Sequence, residues 1–250
     1  MKAEISDQPG HQGAAKTFTL GILEAGDNRA DLIAEHGTYS DWFEDLLSTG
    51  SDRHITYRRY PTHAGALPAS AQECDGYLMT GSRFSVTEQA SWMQAAKDFI
   101  RQASIDKPII GVCFGHQLIA DAFGGRVEPA LDGWVVGVHD FEVGRQKPWM
   151  KPDRSRVSLV SSNCDQVTEP PDTAEVLAGS TECPIGMMQI GANILTVQTH
   201  PEAPKPLIEI IYRYRAEQIG KTKTEAAITS LAKPTDSAVV ARWFREFLVR

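Results

Sequence analysis

The sequence predicts an α/β protein with a doubly wound, mostly parallel sheet, helices on both faces and a small antiparallel β insertion. Three observations lead there. Short apolar runs flanked by polar residues recur along the chain, as buried parallel strands do. In the first half they alternate with segments whose apolar residues repeat at helical spacing, the order that builds a layered α/β domain. After Phe123-Gly-Gly125 the texture changes to short β-like stretches, which marks the insertion.

Phe18-Thr-Leu-Gly-Ile-Leu23 is the first strand. A helix follows, with Ser40 as its N-cap, Trp42, Phe43, Leu46 and Leu47 as one apolar stripe, and an end near Gly50. Ile55 to Tyr60 alternates as the second strand. Gly76 to Met79 is the third, with Thr80-Gly-Ser-Arg83 turning at its carboxyl end. A helix from Glu88 to Ala103 gathers Trp92, Met93, Ala96, Phe99 and Ile100 on one side; Pro108 breaks it and Ile109 to Val112 is the fourth strand. Antiparallel stretches are expected at Trp134 to Val138, Phe141 to Val143, Val157 to Val160 and Ile185 to Ile190. Ile194 to Val197 returns to a buried strand. The remainder reads as helical, with Leu207, Ile208, Ile211, Tyr212 and Arg215 on one helix and Val239, Val240, Trp243, Phe244, Phe247 and Leu248 on the last. A charged loop around Gly220 to Thr224 and Pro234 separate them.

With 42% hydrophobic and 23% charged residues, the 250-residue chain has the composition of an ordinary globular protein. We expect a flexible tail over residues 1–16, polar and carrying Pro9, Gly10 and Gly13, and a single domain over 17–250. A net charge of −7 with scattered Lys and Arg excludes a nucleic-acid partner; Arg53, Arg58 and Arg59 read as a solvated strand edge. No apolar run reaches the roughly 18 residues a membrane helix needs, and the tail lacks a signal-peptide core. Cys74, Cys113, Cys164 and Cys183 form no CxxC pair, so neither a metal site nor a disulfide framework is expected. A cytoplasmic location, which keeps a thiol reduced, follows. No ATP-binding glycine loop or cofactor motif is present.

Ile110-Gly-Val-Cys-Phe-Gly-His-Gln-Leu-Ile119 carries the chemistry. Gly111 and Gly115 flank Cys113 between a strand and a helix, the thiol counterpart of a nucleophile elbow. A sharp turn there exposes the sulfur, and the helix N-terminus favours the thiolate. Alone, such a cysteine is also compatible with packing, His200 with a surface histidine and Glu202 with a helix-start acid. The three types together favour catalysis: a histidine activates a thiol, and a carboxylate fixes that histidine's tautomer. His116 begins the following helix and is expected to point away from the nucleophile. Cys74, Cys164 and Cys183 are read as packing residues.

Gly111-Val-Cys-Phe-Gly-His-Gln117 and Thr199-His-Pro-Glu202 resemble the two motifs of class I, triad-type glutamine amidotransferases. Met79-Thr-Gly-Ser-Arg-Phe-Ser-Val86 is similar to the oxyanion strand of that family, especially in the amidotransferase part of GMP synthetases. Ser161-Ser-Asn-Cys-Asp-Gln-Val167 and Ala174-Glu-Val-Leu-Ala-Gly-Ser180 resemble a further family segment. The resemblance covers nearly the whole chain after residue 16 and implies a flavodoxin-like fold. It implies Cys113 as nucleophile, His200 as base, Glu202 as its orienting group, and Gly81, Ser82 and Phe114 as the oxyanion hole. Gln117 and the main chain at Gly133, Trp134 and Val135 are then substrate contacts, and Arg83, which departs from the family, is a further candidate that would bind a carboxylate or another anion. Three positions depart from the family: Ser82 and Arg83 stand where Gly and Pro are usual, and Asn163 where His is usual.

The resemblance implies hydrolysis of the γ-amide of glutamine through a γ-glutamyl thioester, with no cofactor, the ammonia passing to a separate synthetase partner. A γ-glutamyl peptide or amide hydrolase using the same triad is the alternative. A non-catalytic or redox-sensing interaction protein is a third reading.

Overall fold

The computed structural model describes residues 17–48 and 54–250. The expected tail, the helix end near Gly50 and Arg53 lie outside the described residues. Strand β1 (Phe18–Leu23) forms where its apolar run predicts. Helix α1 (Ala30–His36) buries none of its residues, so it has no apolar stripe to reveal it in the sequence. Helix α2 (Tyr39–Ser48) starts before the expected cap. Thr38 caps it instead: its hydroxyl accepts from the Asp41 N–H at 3.2 Å, while the Asp41 carboxylate accepts from the Thr38 N–H at 2.7 Å. Ser40 lies within the helix, buried and donating to Glu24 at 2.5 Å.

Strands β2 (Ile55–Tyr60) and β3 (Gly76–Met79) follow as expected. The helix predicted from Glu88 begins three residues later as α3 (Ser91–Ala103). Val86–Glu88 form a separate 3₁₀ turn capped by Ser85, and Gln89 ends it at a φ of 49°. Strand β4 (Ile109–Val112) runs into α4 (Phe114–Ala122) with one residue between them. The β-rich half contains β5 (Arg126–Pro129), β6 (Val135–Val143), β7 (Arg156–Asn163), β8 (Asp165–Glu169), β9 (Ala174–Gly179), β10 (Met187–Ile190) and β11 (Ile194–Val197). The two stretches predicted at 134–143 are one strand, β6.

Helices α5 (Lys205–Tyr214), α6 (Ala216–Ile219), α7 (Lys221–Ser230) and α8 (Ser237–Val249) close the chain. The expected charged loop at Gly220 to Thr224 is therefore largely the start of α7. Only Thr224 and Ala227 of that helix are buried, too few for a legible stripe. It lies close on β6 because Gly137 has no side chain: a Cβ there would stand 3.2 Å from Ala227 Cα. Among the described residues no helix is long and apolar enough to cross a membrane.

One sheet of nine strands has the order β2-β1-β3-β4-β11-β10-β9-β6-β7. The segment β2-β1-β3-β4-β11 is parallel, and β10, β9, β6 and β7 extend it antiparallel. Among the described residues, β5 and β8 stand apart as a two-stranded sheet. The chain leaves β1 for β2 on one side and returns to β3 on the other, which opens a crevice beyond the carboxyl ends of the strands.

Alternation along the parallel strands supplies both faces. Leu20, Ile22, Leu78, Ile110, Val112, Leu195 and Val197 pack with α2 and α8, whose Phe43, Leu47, Trp243, Phe244 and Phe247 are fully buried. Tyr77, Met79, Ile109 and Ile194 turn the other way, onto Met93, Phe99 and Ile100 of α3 and Leu118 and Ile119 of α4. Trp243 is wholly enclosed and donates its indole N–H to the Pro152 carbonyl at 3.1 Å. Trp243→Ala therefore lowers unfolding stability by about 3–5 kcal/mol in urea titration, the range for a buried aromatic whose cavity cannot collapse.

Candidate active site

Three strand ends converge on the crevice. Cys113 follows β4 directly, and its N–H donates to the Val197 carbonyl of neighbouring β11 at 2.8 Å. Val112 pairs with Val197 and Gly111 with Met79, so the segments leaving β3, β4 and β11 emerge side by side. They carry Gly81, Cys113 and His200 respectively.

Cys113 has φ 51° and ψ −103°, a backbone conformation that costs a side-chain-bearing residue energy and that its surroundings must hold. The flanking glycines make the turn sterically feasible. A Cβ on Gly115 would stand 2.4 Å from the Met79 carbonyl oxygen, and one on Gly111 would stand 2.7 Å from the Gly115 carbonyl oxygen. Helix α4 thereby presses its first turn against β3 and β4. Gly115 N–H donates to the Thr80 carbonyl at 3.2 Å. Phe114 is the first residue of α4, where a helix N–H has no intrahelical acceptor and the helix dipole favours negative charge.

His200 Nδ1 lies 2.7 Å from Glu202 Oε1, and the Glu202 side chain is fully buried. With Nδ1 held by the carboxylate, Nε2 is the nitrogen left for the neighbouring Cys113 thiol. Burial alone would push the His200 pKa down. The Cys113 and Glu202 charges and their hydrogen bonds outweigh it and hold the imidazole well above the ordinary histidine range. Gly81 packs against both groups: a Cβ there would meet His200 Cε1 at 3.0 Å and Cys113 Cβ at 3.6 Å.

The loop after β3 is fastened on two sides. Thr80 Oγ1 donates to the Gly81 carbonyl at 2.9 Å and accepts from Ala25 N–H at 3.0 Å, while Ser82 Oγ donates to the Ala25 carbonyl at 2.8 Å. Binding the Gly81 carbonyl from one side orients the Gly81–Ser82 peptide, so its N–H faces away from Thr80. Serine in place of the usual second glycine thus acts as a tie to the segment after β1.

Cys113 opens on a cavity of about 420 Å³. Of the expected substrate contacts, Arg83, Gln117 and Trp134 line it. Gly133 and Val135 are not among its lining residues: Gly133 sits in an exposed turn at φ 70°, and Val135 faces a neighbouring cavity of about 540 Å³ that shares Trp134. Gln117 donates both amide hydrogens to the protein, to the Asp165 carbonyl at 2.7 Å and to Gln198 Oε1 at 3.1 Å. Its own Oε1 remains as an acceptor. Asn163 Nδ2 joins the same Asp165 carbonyl at 3.1 Å, which shows what stands where the family usually has histidine.

His116 is buried in a structural position. Its Nδ1 pairs with Thr196 Oγ1 at 2.8 Å, and burial drives its pKa down to about 3, so it stays neutral. Cys74 and Cys183 are packed as expected, with burial pushing the Cys183 thiol up to about 12. Cys164 is different: it is half-buried in the turn between β7 and β8 and lines the Cys113 cavity.

Tyr39, Asp165 and Arg215 also line this cavity and were not singled out in the sequence. Burial pushes the Tyr39 phenol up to about 12; the Cys113 charge adds to this, and Arg215 and Arg83 oppose it. Tyr39 and Arg215 lie outside the quoted motifs, so no local spacing announces them; Asp165 stands within the Ser161–Val167 segment, where resemblance alone gave it no place at the cavity.

The site is thus a strained cysteine turn beside a buried histidine–carboxylate pair, at the carboxyl edge of a doubly wound α/β sheet. Residues 39–206 match the model of the class-I glutamine amidotransferases, and the chain belongs to that family. It is 25% identical over 186 residues to γ-glutamyl peptidase 3 of Arabidopsis thaliana, covering 70% of this chain and 75% of that one. With the glutamine-hydrolysing GMP synthase subunit of Saccharolobus solfataricus it shares 32% identity over 129 residues, 51% of this chain and 67% of the other. The crystal structure of a glutamine amidotransferase from Thermotoga maritima superposes with a TM-score of 0.70 at 14% identity, over 95% of this chain and 100% of that one. That last likeness concerns the fold.

Proposed function

We propose that the chain hydrolyses the amide bond of a γ-glutamyl compound through a thioester on Cys113. The observation that carries this reading is the strained Cys113 set beside the buried His200–Glu202 pair. His200 Nε2 takes the thiol proton, and the sulfur adds to the γ-carbonyl carbon. The resulting oxyanion accepts from the Phe114 N–H and the Gly81–Ser82 peptide N–H. His200 returns its proton to the amide nitrogen, the C–N bond breaks and the amine leaves. Water, deprotonated by His200, then adds to the thioester; the C–S bond breaks and glutamate departs with the thiol restored. Glu202 holds the imidazole in the required tautomer throughout.

Glutamine and larger γ-glutamyl amides are cleaved by the same steps. A cavity of about 420 Å³ falls within the size range of pockets for drug-sized ligands, which favours a substrate larger than glutamine. The likeness to γ-glutamyl peptidases over three quarters of their length favours the same choice. The likeness to glutamine-hydrolysing GMP synthase subunits supports the second reading, a glutaminase that passes ammonia to a separate synthetase.

Assay of the purified chain against L-glutamine and γ-glutamyl dipeptides separates the two. Faster turnover of the dipeptides is the expected result. Preference for glutamine supports ammonia delivery, and inertness toward both, with the fold intact, overturns the hydrolytic reading.

A further inference from the structure

We infer that the amine released by this site carries its own carboxylate, as an amino acid or short peptide does, and that Arg83 holds that carboxylate while Arg215 holds the α-carboxylate of the γ-glutamyl group. This rests on the hydrolase reading above and names its substrate class.

Three guanidinium groups and three carboxylates line the Cys113 cavity: Arg29, Arg83 and Arg215, with Asp27, Glu88 and Asp165. Arg29 is already matched, donating through Nε and Nη2 to both oxygens of Asp31 at 3.0 and 2.7 Å. Among the described residues, Arg83 and Arg215 enter no ion pair. Each instead lies against an aromatic ring: Arg215 stands 4.9 Å from the Trp134 centroid, and Arg83 5.8 Å from that of Phe84. Aromatic contact steadies a planar guanidinium without neutralising it, and leaves N–H groups for a bidentate carboxylate.

The two arginines come from different segments of the chain. Arg215 follows α5 and lies against Trp134. Arg83 follows Gly81 and Ser82, whose peptide faces the reacting carbonyl, and is exposed to solvent, where a leaving group departs. Asp165 is half-buried and held by Ser85 Oγ at 2.6 Å. With the free Oε1 of Gln117, it suits the α-ammonium group.

Asp27 is paired with His63 Nε2 at 3.1 Å and Glu88 accepts from the Ser85 N–H at 2.9 Å, so a γ-glutamyl amino acid presents one ammonium and two carboxylates to Asp165 and two unmatched guanidinium groups. Glutamine has a single carboxylate and leaves one guanidinium unused. An amine with a second positive charge would meet Arg83 with like charge.

The test compares γ-glutamylalanine with its C-terminal amide on the full chain. A charge-assisted contact to the distal carboxylate gives a kcat/KM ratio of roughly 10 or more in favour of the free acid. Arg83→Gln brings that ratio close to one, and Arg83→Lys restores part of it. Arg215→Gln raises KM for both substrates and preserves the ratio. Equal kcat/KM for acid and amide in the unaltered chain overturns the inference, as does a ratio that survives Arg83→Gln. Absence of any turnover of either compound instead sinks the hydrolase reading itself, so the two failures look different.

Discussion

Cys113→Ala lowers kcat/KM for γ-glutamyl amides by about 10⁴-fold or more, with little change in the thermal midpoint. The size of the loss follows from the mechanism. Without sulfur no thioester forms, and what remains is the contribution of substrate binding and the oxyanion donors to direct attack by water. The fold survives because the substitution removes one atom from a residue that is 6% exposed and bordered by the substrate cavity. Alanine must still adopt φ near 51°, so the backbone strain is kept and does not confuse the comparison. Steady-state kinetics with a thermal melt checks both halves. A Cys113→Ala chain that retains a tenth or more of its activity contradicts the assignment of the nucleophile.

Glu202→Gln is expected to lower kcat by about 10³- to 10⁴-fold, although the change is nearly isosteric. The carboxylate accepts a hydrogen bond from the His200 Nδ1–H. A glutamine amide presents N–H as readily as oxygen, which turns the imidazole to the tautomer with its proton on Nε2, where it can no longer take the thiol proton. A second readout separates this from simple damage. Burial lowers the His200 pKa, while the Cys113 and Glu202 charges raise it above the ordinary value. Removing the Glu202 charge takes away stabilisation of the imidazolium, so the ring titrates at lower pH in the variant. NMR of the histidine ring follows that shift directly. Unchanged titration together with unchanged kcat contradicts the role given to Glu202.

The parts legible in the sequence were those written locally. The strands β1, β3, β4 and β11 are continuous apolar runs because both faces of the sheet are covered, and their ends matched to the residue. The Cys113 elbow was legible because close packing of α4 on β3 and β4 demands glycine at two fixed positions around one residue. The true cap of α2 was also written there: Thr38 stands three residues before Asp41, whereas Ser40 attracted notice only by lying next to the apolar stripe. Helices α1 and α7 bury too little to imprint a pattern.

The walls of the site were harder to read. Arg215, Tyr39 and Asp165 reach the cavity from three separate segments, and each is a single residue whose meaning depends on where the chain folds back. Gly133 and Val135 were placed by resemblance to a stretch of main chain. In this chain that stretch turns outward at Gly133 and inward to another cavity at Val135, leaving Trp134 as the shared wall. Cys164 took its place on the cavity wall because the β7–β8 turn opens toward it, a property of the sheet order rather than of its neighbours in sequence.

The central claim is that Cys113 carries the acyl group. Acid quenching of the chain during turnover of a γ-glutamyl dipeptide, followed by intact-mass and peptide mass spectrometry, tests it most directly. A γ-glutamyl adduct on the peptide that contains Cys113, absent from Cys113→Ala, is the expected result. Turnover with no adduct at early quench times, or an adduct carried by Cys164 across the same cavity, would contradict it.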